Sequence, residues 1–164
     1  MSTSSSALQQ NPKSALPPDA TQRVCIFRVG PQLYCLPAAS VEYVYPYCAT
    51  TPVPHKAGSI EGVINLHGSV VPVVDMGIKC AQHPLERAPE HRLMLVDVDS
   101  RRVALHVETV VDVVDVDQRG WEEADTVLPG VKVLTGIVKY QDGLALLYDP
   151  ARFFEAEFTE GTAP

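Results

Sequence analysis

The chain has 164 residues, of which 46% are hydrophobic and 20% are charged, and its formal net charge is -7 at pH 7. This balance is typical of a globular protein with one domain, or two small subdomains that share a core, which needs no metal or disulfide to fold. The negative charge disfavours partners that are bound through phosphate contacts, so we expect no nucleic-acid partner.

Both ends of the chain are predicted to lie outside the folded domain. Residues 1–21 are rich in Ser, Gln, Pro and Ala, which predicts a disordered leader, and residues 157–164 are expected to form a flexible tail. The leader lacks the basic and apolar regions of a signal peptide, and no apolar run is long enough to span a bilayer. The four cysteines form no C-x-x-C pair. We therefore expect a cytoplasmic protein with reduced thiols and no direct membrane insertion.

Short apolar segments separated by turn residues fill the first third of the chain. We predict strands over residues 23–29 and 33–36, separated by Gly30 and Pro31, and a further strand over residues 41–45. Pro37 can begin a single helical turn between the second and third strands.

The most informative stretch is residues 61–76, which reads EGVINLHGSVVPVVDM. Its β-branched residues favour two strands, and Gly68 supplies the positive φ for a tight reversal at His67-Gly68, although the turn type stays open. Pro72 has no amide hydrogen to donate to a sheet, which predicts an edge or a bulge at that point. Asp75 ends the second strand, and one short helical turn is expected at residues 76–79.

The second half of the chain repeats this pattern of short strands. After a surface loop at residues 81–90, we predict strands over 92–98 and 103–107. The valines of the next segment fit neither the helical nor the strand period, so we interpret it as an extended segment with an irregular start. This extended segment spans residues 108–117. We further predict a loop at 120–130 and a hairpin over 134–140 and 144–148. A short C-terminal helix follows, with Asp149 as its N-cap and Pro150 at its first helical position. Together these elements predict an all-β barrel or sandwich.

Catalysis and metal binding have little support in the sequence. Ser69 lies close to His67, but no nucleophile turn surrounds it, and adjacent strand side chains point to opposite faces. His106 lies between apolar strand residues and is interpreted as an ordinary, satisfied or half-exposed histidine. A metal site would have to use three residues of one loop without a fourth ligand: Cys80, His83 and His91. We expect no catalytic residue, no metal and no cofactor.

The order of these segments resembles the CheW-like domain family. The most specific match is GVINLHG at residues 62–68 followed by VPVVD at residues 71–75, where the family has G-V-I-N-L-R-G and v-P-V-v-D. TPVP at residues 51–54 also matches, and the later strands continue the pattern in the right order. The resemblance covers residues 22–156, which we take as the extent of the domain.

The resemblance implies an all-β fold of two intertwined five-stranded SH3-like barrels with short helical turns and a C-terminal helix. It further implies a non-enzymatic adaptor, recruited to membrane-anchored receptor arrays. Such an adaptor couples the cytoplasmic tip helix of a methyl-accepting chemoreceptor to the regulatory domain of a CheA-type histidine kinase. The receptor-binding groove between the barrels would be lined by Ala38, Val41, Val44, Val110, Val111 and Val114. The kinase-facing surface would lie at the central hairpin tip, around Asn65, His67, Gly68 and Ser69.

Two residues depart from the family pattern. His67 stands where the family has an arginine, and Tyr43 stands where a glutamate is expected. Replacing both members of an ion pair leaves no charge unpaired, so the fold need not suffer. The departures leave kinase or receptor specificity open, so one alternative is a divergent CheW-like module that sequesters receptors or another partner without contacting a kinase. A second alternative, from another class, is a small hydrolase that uses Ser69 or a cysteine.

Overall fold

The structure is a computed structural model that describes residues 21–54, 56, 58–155 and 157. The predicted leader and tail therefore lie outside the described residues, apart from Thr21 and Glu157. The described strands are β1 Gln22–Val29, β2 Gln32–Pro37, β3 Val41–Pro46, β4 Ile60–Leu66, β5 Ser69–Asp75, β6 Arg92–Val98, β7 Arg101–Val107, β8 Thr109–Val116, β9 Trp121–Glu123, β10 Leu134–Tyr140 and β11 Gly143–Tyr148. The described α-helices are α1 Met76–Ala81, α2 Ala124–Val127 and α3 Pro150–Phe153, and short 3₁₀ turns span Ala38–Ser40 and Gln118–Gly120.

The strands form two sheets that divide the chain unevenly. The five-stranded sheet has the order β3-β6-β7-β5-β4 and comes from the middle of the chain. The six-stranded sheet has the order β8-β1-β2-β11-β10-β9, so it joins the first two strands to the last ones. This arrangement confirms the predicted all-β fold of two intertwined units. The sixth strand of the second sheet is the three-residue β9.

Each sheet encloses an apolar core, and a third core lies between the sheets. The five-stranded sheet packs around Leu93 and Val73, and the six-stranded sheet packs around Ile26 and Trp121. Both sheets and the C-terminal helix contribute to the core between them, which includes Phe27, Tyr34, Leu36, Met94, Leu105, Phe153 and Phe154. The two units therefore cannot separate without exposing large apolar side chains.

The central hairpin is confirmed, and its turn type is resolved. Leu66 pairs with Ser69 across the end of β4 and β5, and the two residues between them both have positive φ, 52° at His67 and 92° at Gly68. Two left-handed residues in a two-residue loop make a type I′ turn, whose twist matches the flanking strands. The Asn65 side chain supports the turn by accepting a hydrogen bond from the Gly68 amide at 2.8 Å.

Pro72 lies at a locally free edge of β5, as predicted. Its partner across the hairpin is Val63, which exchanges both of its backbone hydrogen bonds with Thr51 instead of with β5. On its other side, β5 pairs with β7 only from Val73 onward. The missing amide hydrogen of Pro72 therefore leaves no gap in the hydrogen bonding of the sheet.

A β-bulge explains the irregular start that was predicted for the valine-rich segment. Ile26 of β1 pairs with Asp112, but its neighbour Phe27 pairs with Val110. Val111 is therefore an extra residue in β8, and it shifts the alternation of side chains along the strand.

The predicted loop at residues 120–130 is wrong in its first part. Residues 121–123 form β9, which pairs with β10, and α2 follows directly. The cause is Trp121, which is buried against Gly136 of β10 and so holds the segment onto the sheet.

Gly136 leaves the space that the Trp121 ring occupies, so Gly136→Ala should destabilise the protein. A Cβ at this position would approach carbons of the indole ring to 2.6–2.9 Å. We expect a loss of about 1–3 kcal/mol in the free energy of unfolding, measured by chemical denaturation. Gly143→Ala is the matched control, because its Cβ would meet no atom closer than 3.9 Å. Equal stability of the two variants would show that the Trp121 contact is not tight.

Candidate functional site

The six predicted groove residues lie on elements that border the seam between the sheets. Ala38 begins the 3₁₀ turn between β2 and β3, and Val41 and Val44 lie on β3, one of the two edge strands of the five-stranded sheet. The other three lie on β8, one of the two edge strands of the six-stranded sheet: Val110, Val111 and Val114.

All six of these residues are partly buried. Val41, Val44 and Val110 pack against the core between the sheets, and Val111 and Val114 pack against the core of the six-stranded sheet. These valines are therefore not sealed inside either core, and each keeps some accessible apolar surface.

A depression of about 530 Å³ lies beside this seam, and one predicted groove residue lines it. Ala38 and Ala39 of the 3₁₀ turn form one part of its wall. Thr21, which precedes β1, Arg23 of β1 and Asp115 of β8 form the rest. Arg23 Nε donates to Asp115 Oδ1 at 2.9 Å. This hydrogen bond raises the pKa of Arg23 and lowers the pKa of Asp115, so both groups stay charged at the rim.

The predicted kinase-facing residues, Asn65, His67, Gly68 and Ser69, are all exposed at the hairpin tip. The His67 ring lies 6.4 Å from the ring of Tyr45, which lies 4.7 Å from the ring of Tyr43. Tyr43 is itself 61% exposed. The two residues that depart from the family pattern thus belong to one aromatic patch, which we define as Tyr43, Tyr45 and His67. The sequence did not indicate that Tyr45 would join them.

Ser69 and His67 share no hydrogen bond within the described part of the chain. They occupy an open hairpin tip, and the neighbours of His67 are aromatic rings rather than an orienting acid. A nucleophile needs a base within hydrogen-bond reach and a third group that orients the base. The arrangement at the tip supplies neither.

A buried polar line that the sequence analysis did not predict crosses one end of the five-stranded sheet. His106 Nδ1 lies 2.8 Å from Glu61 Oε1, and His106 Nε2 lies 2.9 Å from His91 Nδ1. His106 is fully buried, and Glu61 and His91 are each 8% exposed. We call these three residues the Glu61–His106–His91 line. A histidine within an apolar strand was the only hint of it in the sequence.

The pKa of Glu61 reflects two opposing effects. Burial raises it, but hydrogen bonds from His106 and from the Tyr47 hydroxyl lower it further than burial raises it, with help from the charge of Arg87. The net pKa is lowered, so the buried carboxyl group remains ionised at neutral pH.

The ligand-type side chains of this region are already engaged in hydrogen bonds. One atom each of Glu61, Asp75 and His106 lies within 4.8 Å of the others. However, Glu61 and His106 bond directly to each other, and the Asp75 carboxylate accepts from the backbone amides of α1 and of Leu85. Zinc bound to both groups would push the nitrogen and the oxygen to roughly 3 Å or more apart, because each would lie about 2 Å from the ion. A zinc ion bound to Glu61 and His106 would therefore have to break the hydrogen bond between them.

The loop residues considered as metal ligands do not converge. Cys80 lies in α1, His83 is exposed, and His91 is bonded to His106. Among the described residues, these three side chains do not form a group within ligand distance.

Comparisons with known proteins agree on one family. The model of the CheW-like domain matches residues 23–158. The chemotaxis protein CheW of Rhizobium meliloti strain 1021 is 36% identical over 93 residues, which are 57% of this chain and 60% of that protein. The chemotaxis protein CheW of Klebsiella aerogenes is 25% identical over 138 residues, 83% of each chain. The matched region thus covers less than two thirds of the Rhizobium meliloti relative.

The fold comparison is consistent with the sequence comparisons. The crystal structure of the scaffolding protein TtCheW from Thermoanaerobacter tengcongensis has a TM-score of 0.73 to this structure at 24% identity. The match covers 82% of this chain and 93% of that one. Within the described residues, no helix has the length and apolar character needed to cross a bilayer.

The Asn65 side chain should stabilise the exposed hairpin tip. Asn65→Ala removes the acceptor for the Gly68 amide, and we expect it to lower the free energy of unfolding by about 0.5–1 kcal/mol. Asn65→Asp keeps an acceptor oxygen and is the matched control. Chemical denaturation of both variants checks this expectation, and an equal loss in the two would mean that the hydrogen bond does not support the turn.

Proposed function

This chain belongs to the CheW-like domain family of non-catalytic chemotaxis scaffolds, and from that membership we propose that it couples a methyl-accepting chemoreceptor to a CheA-type histidine kinase. It would act in the cytoplasm at membrane-anchored receptor arrays. It would do no chemistry of its own and would hold the two partners in fixed positions relative to each other.

The observation that carries the receptor contact is the partial burial of valines on two edge strands at the seam between the sheets. Val41 and Val44 of β3 and Val110 of β8 share one core but are not covered by it. Exposed apolar surface between polar rims is suited to an amphipathic helix laid into a groove, and the chemoreceptor tip is such a helix. We therefore assign the receptor-binding groove to Ala38, Val41, Val44, Val110, Val111 and Val114.

The proposed kinase contact is the tip of the central hairpin. Asn65, His67, Gly68 and Ser69 are exposed there, and the type I′ turn gives the tip a defined shape. Because β4 and β5 also form the core of the five-stranded sheet, the tip is held rigidly on the scaffold. A rigid, exposed tip can bind the regulatory domain of the kinase with little loss of conformational entropy.

Each contact in this proposal is small and weak by itself. A groove for one helix and a hairpin tip each bury less than about 1,200 Å². Many copies linked through receptors and kinases raise the effective concentration of each contact, so the assembly is stable although its single contacts are not.

The aromatic patch supports one alternative. Where the family has an acid and an arginine, this chain presents Tyr43 and His67, and a kinase surface adapted to those charges would lose its ionic partners. In this alternative, the protein binds receptors or another partner without contacting a kinase. The hydrolase alternative gains no support from the exposed Ser69.

A charge in the groove should abolish receptor binding. We expect Val44→Asp and Val111→Asp each to weaken binding of a receptor tip fragment at least about tenfold, because a carboxylate would be desolvated under the bound helix. Val113→Asp is the matched control on the same strand as Val111, since Val113 is 53% exposed. Co-sedimentation with receptor assemblies measures binding, and circular dichroism confirms that each variant is folded. If both folded groove variants bind receptor as the wild type does, the groove assignment is wrong.

A substitution at the hairpin tip should affect the kinase and spare the receptor. We expect His67→Ala to weaken binding of the kinase regulatory domain about tenfold and to leave receptor binding unchanged. Gln141→Ala is a matched control, because Gln141 occupies a hairpin turn of the other sheet with the same φ of 52°. Pull-down with the isolated regulatory domain measures the effect. Failure of the wild-type protein to bind any cognate kinase domain would favour the alternative without a kinase.

A further inference from the structure

The Glu61–His106–His91 line connects four segments that are distant in sequence. Glu61 is the extra residue of a bulge in β4, where Ile60 pairs with Val74 but Gly62 pairs with Val73. His106 lies in β7, and His91 directly precedes β6. The fourth segment is the end of β3, because the Tyr47 amide donates to the His91 carbonyl at 3.0 Å.

Tyr47 also closes the line on the Glu61 side. Its hydroxyl donates to Glu61 Oε2, and its ring lies 4.3 Å from the ring of His106. The backbone of His91 is fixed in turn by its amide, which donates to the Ala88 carbonyl at 3.0 Å. Movement of His91 away from His106 would therefore disturb both the loop before β6 and the end of β3.

The hydrogen bonds determine where the protons lie. The Glu61 carboxylate can only accept, so His106 Nδ1 carries a hydrogen. Only one hydrogen fits between the facing nitrogens His106 Nε2 and His91 Nδ1, which are 2.9 Å apart. When both rings are neutral, His91 is the donor. When His106 takes up a proton at Nε2, it becomes the donor, and His91 keeps its single hydrogen on Nε2.

A second proton on the pair cannot be accommodated in this geometry. It would place two N–H groups opposite each other at a distance that requires one donor and one acceptor. It would also place two positive rings next to each other in the protein interior, where like charges repel strongly. The line therefore binds one added proton without rearrangement, and a second only if His91 leaves.

The surrounding charges favour the first proton. Two carboxylates lie close to the rings, one from β4 and one from β5. Two arginines oppose them: the exposed Arg87 lies 3.8 Å from Glu61, and Arg92 donates to the His91 carbonyl at 2.9 Å. The titratable and charged groups that the structure describes around the two rings are therefore Tyr47, Glu61, Asp75, Arg87 and Arg92. This environment is suited to a single positive charge on the imidazole pair.

We propose that the Glu61–His106–His91 line is an internal acid-sensitive lock: it holds one proton on the imidazole pair at constant structure, and uptake of a second proton releases His91 together with the end of β3. The second proton comes from solvent and returns to it when the pH rises. The lock is a property of the fold, and it does not depend on the partners that the protein binds.

The free energy that keeps the line closed should fall on acidification, already at pH values above those at which the Glu61 carboxylate takes up a proton. In the unfolded chain each of the two imidazoles can bind an added proton, and the same holds when the line is open. The closed line binds only one added proton for the pair, so the open form binds one proton more than the closed form. A difference of one proton changes the opening equilibrium about tenfold per pH unit. We therefore expect the hydrogen-exchange protection factor of the Tyr47 amide to fall on acidification, by up to about tenfold per pH unit once the second proton begins to bind.

His91→Asn tests the lock, because the side-chain carbonyl of asparagine can accept a hydrogen bond from protonated His106, as His91 does, but asparagine cannot take up a proton itself. We expect the pH dependence of Tyr47 protection between pH 7 and pH 5 to be lost in this variant. His83→Asn is the matched control, since it removes an exposed histidine from the same loop and should behave as the wild type does. An identical pH dependence in wild type and His91→Asn would overturn the proposal.

A measurement on the wild-type protein keeps the proposal testable if His91→Asn does not fold. Imidazole ¹⁵N spectra recorded through the titration should show that Nδ1 of His106 keeps its hydrogen throughout. They should also show the hydrogen of His91 moving from Nδ1 to Nε2 as the first proton binds. Two histidines that titrate independently, with no change of tautomer at His91, would contradict the shared proton.

Discussion

The core that the two sheets share is the constraint on which the rest of the molecule depends. A continuous series of aromatic rings crosses it, from Phe27 to Tyr34 at 6.0 Å, on to Tyr148 at 5.8 Å and on to Phe153 at 4.3 Å. These side chains come from β1, β2, β11 and α3, so both ends of the chain are needed to complete the core. Because β3 and β8 border this core as edge strands, their apolar residues are held at its margin and are not sealed within it. The partly exposed apolar surface at the seam is thus a consequence of how the core is closed.

β-Bulges determine which side chains reach each surface. In β3, Val41 pairs with Val96 and Tyr43 pairs with Leu95, which leaves Glu42 as an extra residue. In a regular strand Val41 and Val44 would point to opposite faces, and the bulge brings both toward the shared core. Similar insertions occur at Val111 in β8 and at Glu61 in β4. The positions of the partly exposed seam valines and of the Glu61–His106–His91 line therefore both depend on irregular strands.

The elements that could be predicted from the sequence are those specified by local chemistry. The hairpin at His67-Gly68, the end of β5 at Asp75 with the helical turn after it, and the start of α3 at Asp149-Pro150 all follow from a few adjacent residues, and all are confirmed. β9 was missed because Trp121 is held by Gly136, a contact between segments that are distant in sequence. The Glu61–His106–His91 line was missed for the same reason, since no local pattern indicates that a bulge in β4 will place a carboxylate beside a histidine of β7. The assignment of residues to partners came from the family resemblance, and it stays a prediction.

β3 and the residue that follows it contribute to three of the features described for this protein. One side of β3 presents Val41 and Val44, which belong to the proposed groove, its other side presents Tyr43 and Tyr45 of the aromatic patch, and Tyr47 follows its end beside Glu61 and His106. Among the described strands β3 pairs only with β6, so it has fewer backbone hydrogen bonds to lose than a central strand has. A ligand that binds better when β3 is paired with β6 than when β3 has moved away stabilises the paired form of the strand. By linkage, every other ligand that prefers the paired form then binds more tightly as well. β3 is therefore the element through which the proposed groove, the aromatic patch and the Glu61–His106–His91 line can influence one another.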